Sequence, residues 1–293
     1  MNLTLTAEAA ARGAVVGTGA GLLALGVVLT FRSTGVLNFA LGGIASVSAF
    51  LVWQLWGRGG GLPLVPAVVV ALAVSVLLGL AAERVMRPLA SAAVAVRAIA
   101  TLGLLLLLDG GIVVAWGPAD RFLPALSGGA LPIGAVRVGS QEIGLAITAV
   151  MAAVALGVWT RTRPLGMASL AIGEDAAAAR LLGVRPERVT AVVWGLSALL
   201  AGMAGVGLSG GQGVLNSTGM TLAFVSSLAA VLLGGFERLG ITVAAAAAVG
   251  ALTAAVAVVP SAARVSGLVQ STGFLVVLAV VLLRPRRAAL GRA

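Results

Sequence analysis

Long, unbroken apolar runs follow one another along almost the whole of this chain, and that repetition limits its fold more than any other feature. They fall at about 9–31, 36–56, 63–83, 97–117, 141–160, 188–208, 220–235, 240–259 and 270–283. Most approach the roughly 20 residues that a helix needs to cross a bilayer; those at 220–235 and 270–283 are short, as a re-entrant or tilted segment would be. Inside lipid every backbone amide must be paired within the protein, which leaves helices or closed barrels. The runs are continuous rather than ten-residue alternations, so they read as helices. Only 10% of residues are charged and 60% are hydrophobic, against roughly 25% charged for a soluble domain. The expected fold is all-α: a polytopic transmembrane helix bundle of about eight to nine spans, forming one domain over residues 1–293.

Arginine sets the orientation. The net charge of +10 comes from 19 basic residues, every one an arginine. With nine crossings and the amino terminus outside, fourteen arginines fall on the inner side and five (Arg12, Arg58, Arg121, Arg137 and Arg264) on the outer side. The reverse orientation would break the positive-inside rule. The expectation is therefore an external amino terminus and a cytoplasmic carboxyl terminus, with the arginines serving topology and lipid rather than nucleic acid. The RPRR run Arg284–Arg287 reads as a cytoplasmic anchor. Met1–Arg12 contains Glu8 and no early positive charge, unlike a cleaved signal peptide.

Several chemistries are excluded. Cysteine, histidine, tyrosine and lysine are absent. That removes thiol catalysis, disulfides, histidine metal sites, haem ligation, histidine triads and Ser–Lys dyads. No GxxxxGK[ST] phosphate loop occurs, so any ATP that drives this chain is bound by another polypeptide. We expect no enzymatic activity and no cofactor in this chain.

One long polar interruption stands out: Arg161–Arg188, RTRPLGMASLAIGEDAAAARLLGVRPER. Within it Ala176–Leu182 are good helix formers. Glu174 and Asp175 precede them, where carboxylates suit the helix dipole, and Gly183 suits the carboxyl cap. A short capped helix between two spans either docks in a partner's groove or rests on lipid head groups; sequence physics leaves both open.

Within the spans, glycine is dense (Gly17-x-x-x-Gly21; Gly202, Gly205, Gly207), as in tightly packed membrane helices. Asp109 falls in the middle of the fourth run. A carboxylate there is unfavourable by a few kcal/mol unless neutral, paired or wetted. It lines a translocation path or makes an interhelical hydrogen bond. Asn38 either bonds the backbone at a broken helix or faces the conduit. Ser197, Ser226 and Ser227 read as packing hydroxyls, Glu83 and Arg87 as an i,i+4 pair. The 118–140 connector is turn-rich, with room for a short helix. Gln212, Asn216 and Thr218, in the outer segment Ser209–Met220, are placed to meet a substrate receptor.

The stretch RPLGMASLAIGEDAAAARLLGV, followed by VVWGLSALLAGMAGV (Val192–Val206), resembles the permease subunits of branched-chain amino acid ABC importers. FRSTGVLNFALGGIA (Phe31–Ala45) resembles the NFAHG-type motif of the first of the two permeases in such systems. AFVSSLAAVLLGGFERLG (Ala223–Gly240) resembles the late glycine-rich turn. The sequence departs from the family at Leu41, where histidine is frequent, and at Gly43, where a carboxylate is frequent. It also carries Met167 and Leu170 in place of basic residues, and Glu237 and Arg238 where glycine and serine are common. The resemblance implies that 161–188 is a cytoplasmic loop holding a coupling helix, with Glu174, Asp175, Arg180 and Leu181 transmitting force from the ATPase. It implies two ABC ATPase subunits, a second homologous permease, an extracytoplasmic binding protein and a bacterial plasma membrane. The cargo would be small solutes, branched-chain or other hydrophobic amino acids. Asn38 and Asp109 are the candidate path residues. The competing reading is a self-contained secondary transporter or channel, for which Asp109 is the clear coupling candidate.

Overall fold

The computed structural model describes residues 3–57, 61–126, 128–133, 136–212, 214–216, 219–259 and 268–283. Arg58, Arg264, Thr218 and the RPRR run lie outside the described residues, as does the side chain of Gln212. The helices are α1 (Leu3–Thr34), α2 (Ala40–Val52), α3 (Leu64–Met86), α4 (Val94–Trp116), α5 (Ser140–Thr162), α6 (Pro164–Glu174), α7 (Ala176–Leu181), α8 (Pro186–Gln212), α9 (Gly219–Gly234), α10 (Leu239–Val258) and α11 (Leu268–Leu283). Among the described residues seven are long and apolar enough to cross a membrane; Met220–Gly234 and Ser271–Leu282 are shorter apolar helices. The chain is an all-α polytopic membrane bundle.

The bundle is inside-out by the standards of a soluble protein. α1, α2 and α8 form its centre, where Leu22, Leu23, Leu25, Leu41, Ile44, Ala198 and Ala201 are fully buried. α3, α4 and α5 surround it with large apolar side chains facing outward, such as Val69, Leu107 and Met151. A soluble chain would not leave so large an apolar surface in water; lipid accepts it.

Contacts order the ends. Arg12 of α1 meets Glu142 at the start of α5, so α1 and α5 run parallel. α10 returns against α1: an added Cβ on Gly17 would stand 2.8 Å from the Gly250 Cα, so the backbones touch. Only glycine permits that approach, and it replaces side-chain interlock with direct backbone contact. Following the chain through its turns, Arg32, Arg84, Arg87, Arg97, Arg161, Arg163, Arg180, Arg185, Arg188 and Arg238 gather at one end. Arg12, Arg121 and Arg137 lie at the other.

Two features differ from the sequence expectation. The second run does not begin as a helix: residues 35–39 are unwound, with Val36 and Asn38 buried, and α2 starts only at Ala40, extended by a π-helical turn at Trp53–Gly57. The 118–140 connector forms strands, not a helix. β1 (Arg121–Phe122) pairs with β4 (Val214–Leu215), and β2 (Ala130–Ile133) pairs with β3 (Val136–Gly139), both antiparallel. Its proline and glycine residues favour turns and extended backbone over a helical run.

Candidate coupling surface and membrane-embedded polar sites

The polar interruption folds as two helices. After α5 the chain extends at Arg163, and Pro164 opens α6 at a position where its missing N–H loses nothing. α6 leans on the membrane helices. Gly166 packs on the Trp159 carbonyl of α5, and Gly173 packs on the Arg32 carbonyl of α1. Glu174 is the last residue of α6 rather than part of the following helix. The break comes at Asp175, whose backbone is extended (φ −150°, ψ 103°).

Asp175 then caps α7. Its Oδ1 accepts from the amides of Ala177 at 2.8 Å and Ala178 at 3.0 Å. At the other end Gly183 takes φ +82°. Its N–H donates to Arg180 O at 2.9 Å and the Val184 N–H to Ala179 O at 3.1 Å, a Schellman closure. Below, Ala179, Ile172 and Val189 form a small core that seats α7 on α6 and α8. Above, Leu181 and Leu182 are 90% and 83% exposed. Arg180 reaches Glu187 at 3.5 Å, an exposed pair worth little by itself. Glu174, Asp175, Arg180 and Leu181 therefore cluster on one projection, and Leu182 joins them. Sequence reasoning missed Leu182, although the Leu–Leu pair directly before Gly183 was a usable signal.

The unwound segment between α1 and α2 is pinned from α4. Thr101 Oγ1 donates to Leu37 O at 2.9 Å and accepts from the Phe39 amide at 3.3 Å. Arg97 donates to Thr34 O at 3.0 Å. Asn38 is 1% exposed; its Oδ1 accepts from the Ala40 amide at 3.2 Å, whereas its Nδ2 has no partner among the described residues. Of the two readings left open for Asn38, the backbone bond at a broken helix is present. Asp109 lies two turns further along α4. Its Oδ2 accepts from Thr221 Oγ1 of α9 at 3.2 Å, and its Oδ1 is buried without a partner among the described residues. Phe224, one turn beyond Thr221, packs against Phe39 with ring centroids 5.7 Å apart and ring planes tilted by 52°. Asn38 and Asp109 thus lie along one seam between α2, α4 and α9.

Neither lines the larger cavity. That space, of about 810 Å³, opens between α1, α5, α8, α9 and α10 near the end with fewer arginines. Its walls are mostly small and apolar, with Asn216, Ser226, Ser227 and Thr253 as polar points. Arg12 and Glu142 border it, joined at 2.7 Å. Of the expected packing hydroxyls, Ser227 bonds Phe224 O at 2.6 Å, and both Ser226 and Ser227 border the cavity. Glu83 and Arg87 pair at 2.8 Å. Among the described residues no three acidic side chains come together to hold a metal ion.

The family described as branched-chain amino acid transport system, permease component, matches residues 9–281. The chain belongs to this family. The permease is 27% identical over 236 residues to the high-affinity branched-chain amino acid transport system permease protein LivH of Escherichia coli K12, covering 76% of this chain and 77% of that protein. It is 30% identical over 222 residues to the autoinducer 2 import system permease protein LsrC of Enterobacter sp. strain 638, covering 75% of this chain and 61% of that one. In fold, the permease resembles a chain of the solved structure of PsaBC from Streptococcus pneumoniae in complex with Fab. The TM-score is 0.50 and the identity 14%, over 95% of this chain and 93% of the other. Family membership favours a permease subunit over a self-contained secondary transporter or channel.

Proposed function

We propose that this permease is the membrane-crossing subunit of an ATP-driven importer of branched-chain or other hydrophobic amino acids in a bacterial plasma membrane. The observation that carries the reading is α7: a six-residue helix, capped at both ends, holding Leu181 and Leu182 outward from the arginine-rich end. Two adjacent exposed leucines on a rigid mount are disfavoured in water and suit a pocket on a partner. That partner is an ABC ATPase subunit, which supplies the nucleotide chemistry this chain lacks. Glu174, Asp175, Arg180 and Leu181 form the coupling contact, within the cytoplasmic loop 161–188. A second homologous permease completes the pathway, and an extracytoplasmic binding protein delivers the solute at the far end. The amino terminus is outside, the carboxyl terminus is cytoplasmic, and nine helices cross, with α9 and α11 the short ones. Asn38 and Asp109 border the path along the α2–α4–α9 seam.

Two experiments test the reading. The natural chain has no cysteine, so Ala178→Cys and Ser140→Cys each introduce a single thiol. In intact cells an impermeant maleimide should label Ser140→Cys and spare Ala178→Cys; the reverse pattern would reject the orientation. With the ATPase, sister permease and binding protein reconstituted, labelled leucine should accumulate only when ATP is supplied. Uptake by this chain alone on an ion gradient would overturn the assignment.

A further inference from the structure

The arginine-rich end holds a second cavity, of about 600 Å³, in the angle between α1, α5 and α10. Arg32, Arg161 and Arg238 line it together with Glu237. None of the four is in an ion pair among the described residues. Arg32 feels the charge of both Arg161 and Glu237. Three guanidinium groups against one carboxylate leave the mouth of the groove cationic. Guanidinium donors are matched by oxyanions such as carboxylate and phosphate.

The wall running into the bundle is apolar. Val154, Gly157, Val158 and Arg161 recur at helical spacing and share one face of α5. Val154 is 62% and Val158 54% exposed, and Ile241 of α10, 43% exposed, stands in the same lining. Gly157 has nothing within 4 Å of where its Cβ would stand, so the stripe is notched rather than filled. From Arg161 back to Val154 is about 10 Å along the helix axis. The groove is therefore cationic at the surface and apolar in depth, and it sits where the spanning helices end. A soluble anion would satisfy only the mouth, and a neutral fatty chain only the wall.

We propose that this groove binds one anionic phospholipid. Arg161 and Arg238 hold its phosphodiester with Arg32 behind them, and an acyl chain lies along Val154, Val158 and Ile241. Basic pockets between membrane helices at the head-group level recognise lipids in this way. The site is separate from α7 and does not depend on which solute is carried. Occupied, it would tie α5 to α10 beside the carboxyl end of α1.

The test is native mass spectrometry of the full chain in mild detergent. It uses phosphatidylglycerol, phosphatidylcholine with the same acyl chains, and glycerol 3-phosphate. Phosphatidylglycerol should be retained over phosphatidylcholine, and glycerol 3-phosphate should not displace it. The Arg161→Gln/Arg238→Gln double variant should lose roughly tenfold or more of that retention. Arg84→Gln/Arg185→Gln, which changes arginines outside the groove, should not. Glu237→Gln removes the opposing charge and should raise retention, a gain that a misfolded protein cannot produce. Equal retention by the groove double variant, equal binding of phosphatidylcholine, or displacement by glycerol 3-phosphate would each overturn the proposal. So would loss of ATPase binding by the double variant with its lipid unchanged.

Discussion

Thr221 of α9 donates a hydrogen bond to Asp109 of α4 across 3.2 Å, and the second carboxylate oxygen is buried without a partner among the described residues. A half-satisfied carboxylate in a membrane helix is unfavourable. The Thr221 bond is an interhelical contact; the path reading adds that the unpaired oxygen serves transport. Asp109→Leu should therefore leave thermal stability equal or higher while lowering leucine uptake by the reconstituted complex by about tenfold or more. Asp109→Asn, which can still accept from Thr221, should retain more uptake than Asp109→Leu. Equal uptake by wild type and Asp109→Leu would remove Asp109 from the path.

Thr101 satisfies a carbonyl and an amide on the unwound segment. Thr101→Val keeps the shape and deletes both bonds. Leaving such buried groups unpaired is worth about 1–3 kcal/mol each. The variant should show a clearly lower melting temperature in detergent, while Thr101→Ser should sit close to wild type.

Leu181 and Leu182 project from a helix seated by Ala179, Ile172 and Val189. Leu181→Asp/Leu182→Asp should abolish co-purification of the ATPase without changing the melting temperature of the permease. Ala179→Asp would place an unpaired charge in the small core beneath and should disturb both.

The ends of α7 make a finer prediction. Replacing the Asp175 cap by alanine should destabilise the helix by about 0.5–2 kcal/mol, and Gly183→Ala should cost about 1–2 kcal/mol through its left-handed backbone. Hydrogen exchange over residues 176–184 should accelerate in both variants, with protection of α8 unchanged.

Gly17 and Gly250 are in backbone contact. Val replacement at either site has no room to relax, since the obstacle is main chain rather than a flexible side chain. Such overpacking typically costs roughly 1–3 kcal/mol or more. Either single variant should lower the melting temperature of the purified permease, whereas Gly144→Ala, with nothing within 4 Å, should not.

The helical runs were legible because apolar continuity and length are properties of local sequence; α3, α4, α5 and α10 begin and end within three residues of the positions read from it. The caps on α7 were legible for the same reason, since Asp175 and Gly183 act on their nearest neighbours. The break was legible only through Asn38, read as a backbone bond at a broken helix; its extent over 35–39 was not, because Val36 and Leu37 look like any other membrane residues. Gly35, at φ +68°, ends α1 locally, and distant groups on Arg97 and Thr101 then hold the segment that follows. α6 was also missed: Arg163–Pro164 marks a helix start, but glycines at 166 and 173 argue against a helix until their close contacts with α5 and α1 are seen. Asn38 and Asp109 could be singled out as polar groups in apolar runs. Their alignment through Phe39, Phe224 and Thr221 is a tertiary fact that spacing cannot supply.

Gly173 rests directly on the Arg32 carbonyl, in the last turn of α1. α6 is thus a strut whose carboxyl end, beside α7, bears on the central helix α1, while its amino end at Gly166 bears on α5. Displacement of α7 cannot be absorbed at that joint, because no side chain intervenes to yield. It passes into Arg32–Thr34, and the first backbone beyond it without a ladder of its own is 35–39. A push on α7 would thereby meet backbone that Thr101 holds from α4 in place of a helical ladder.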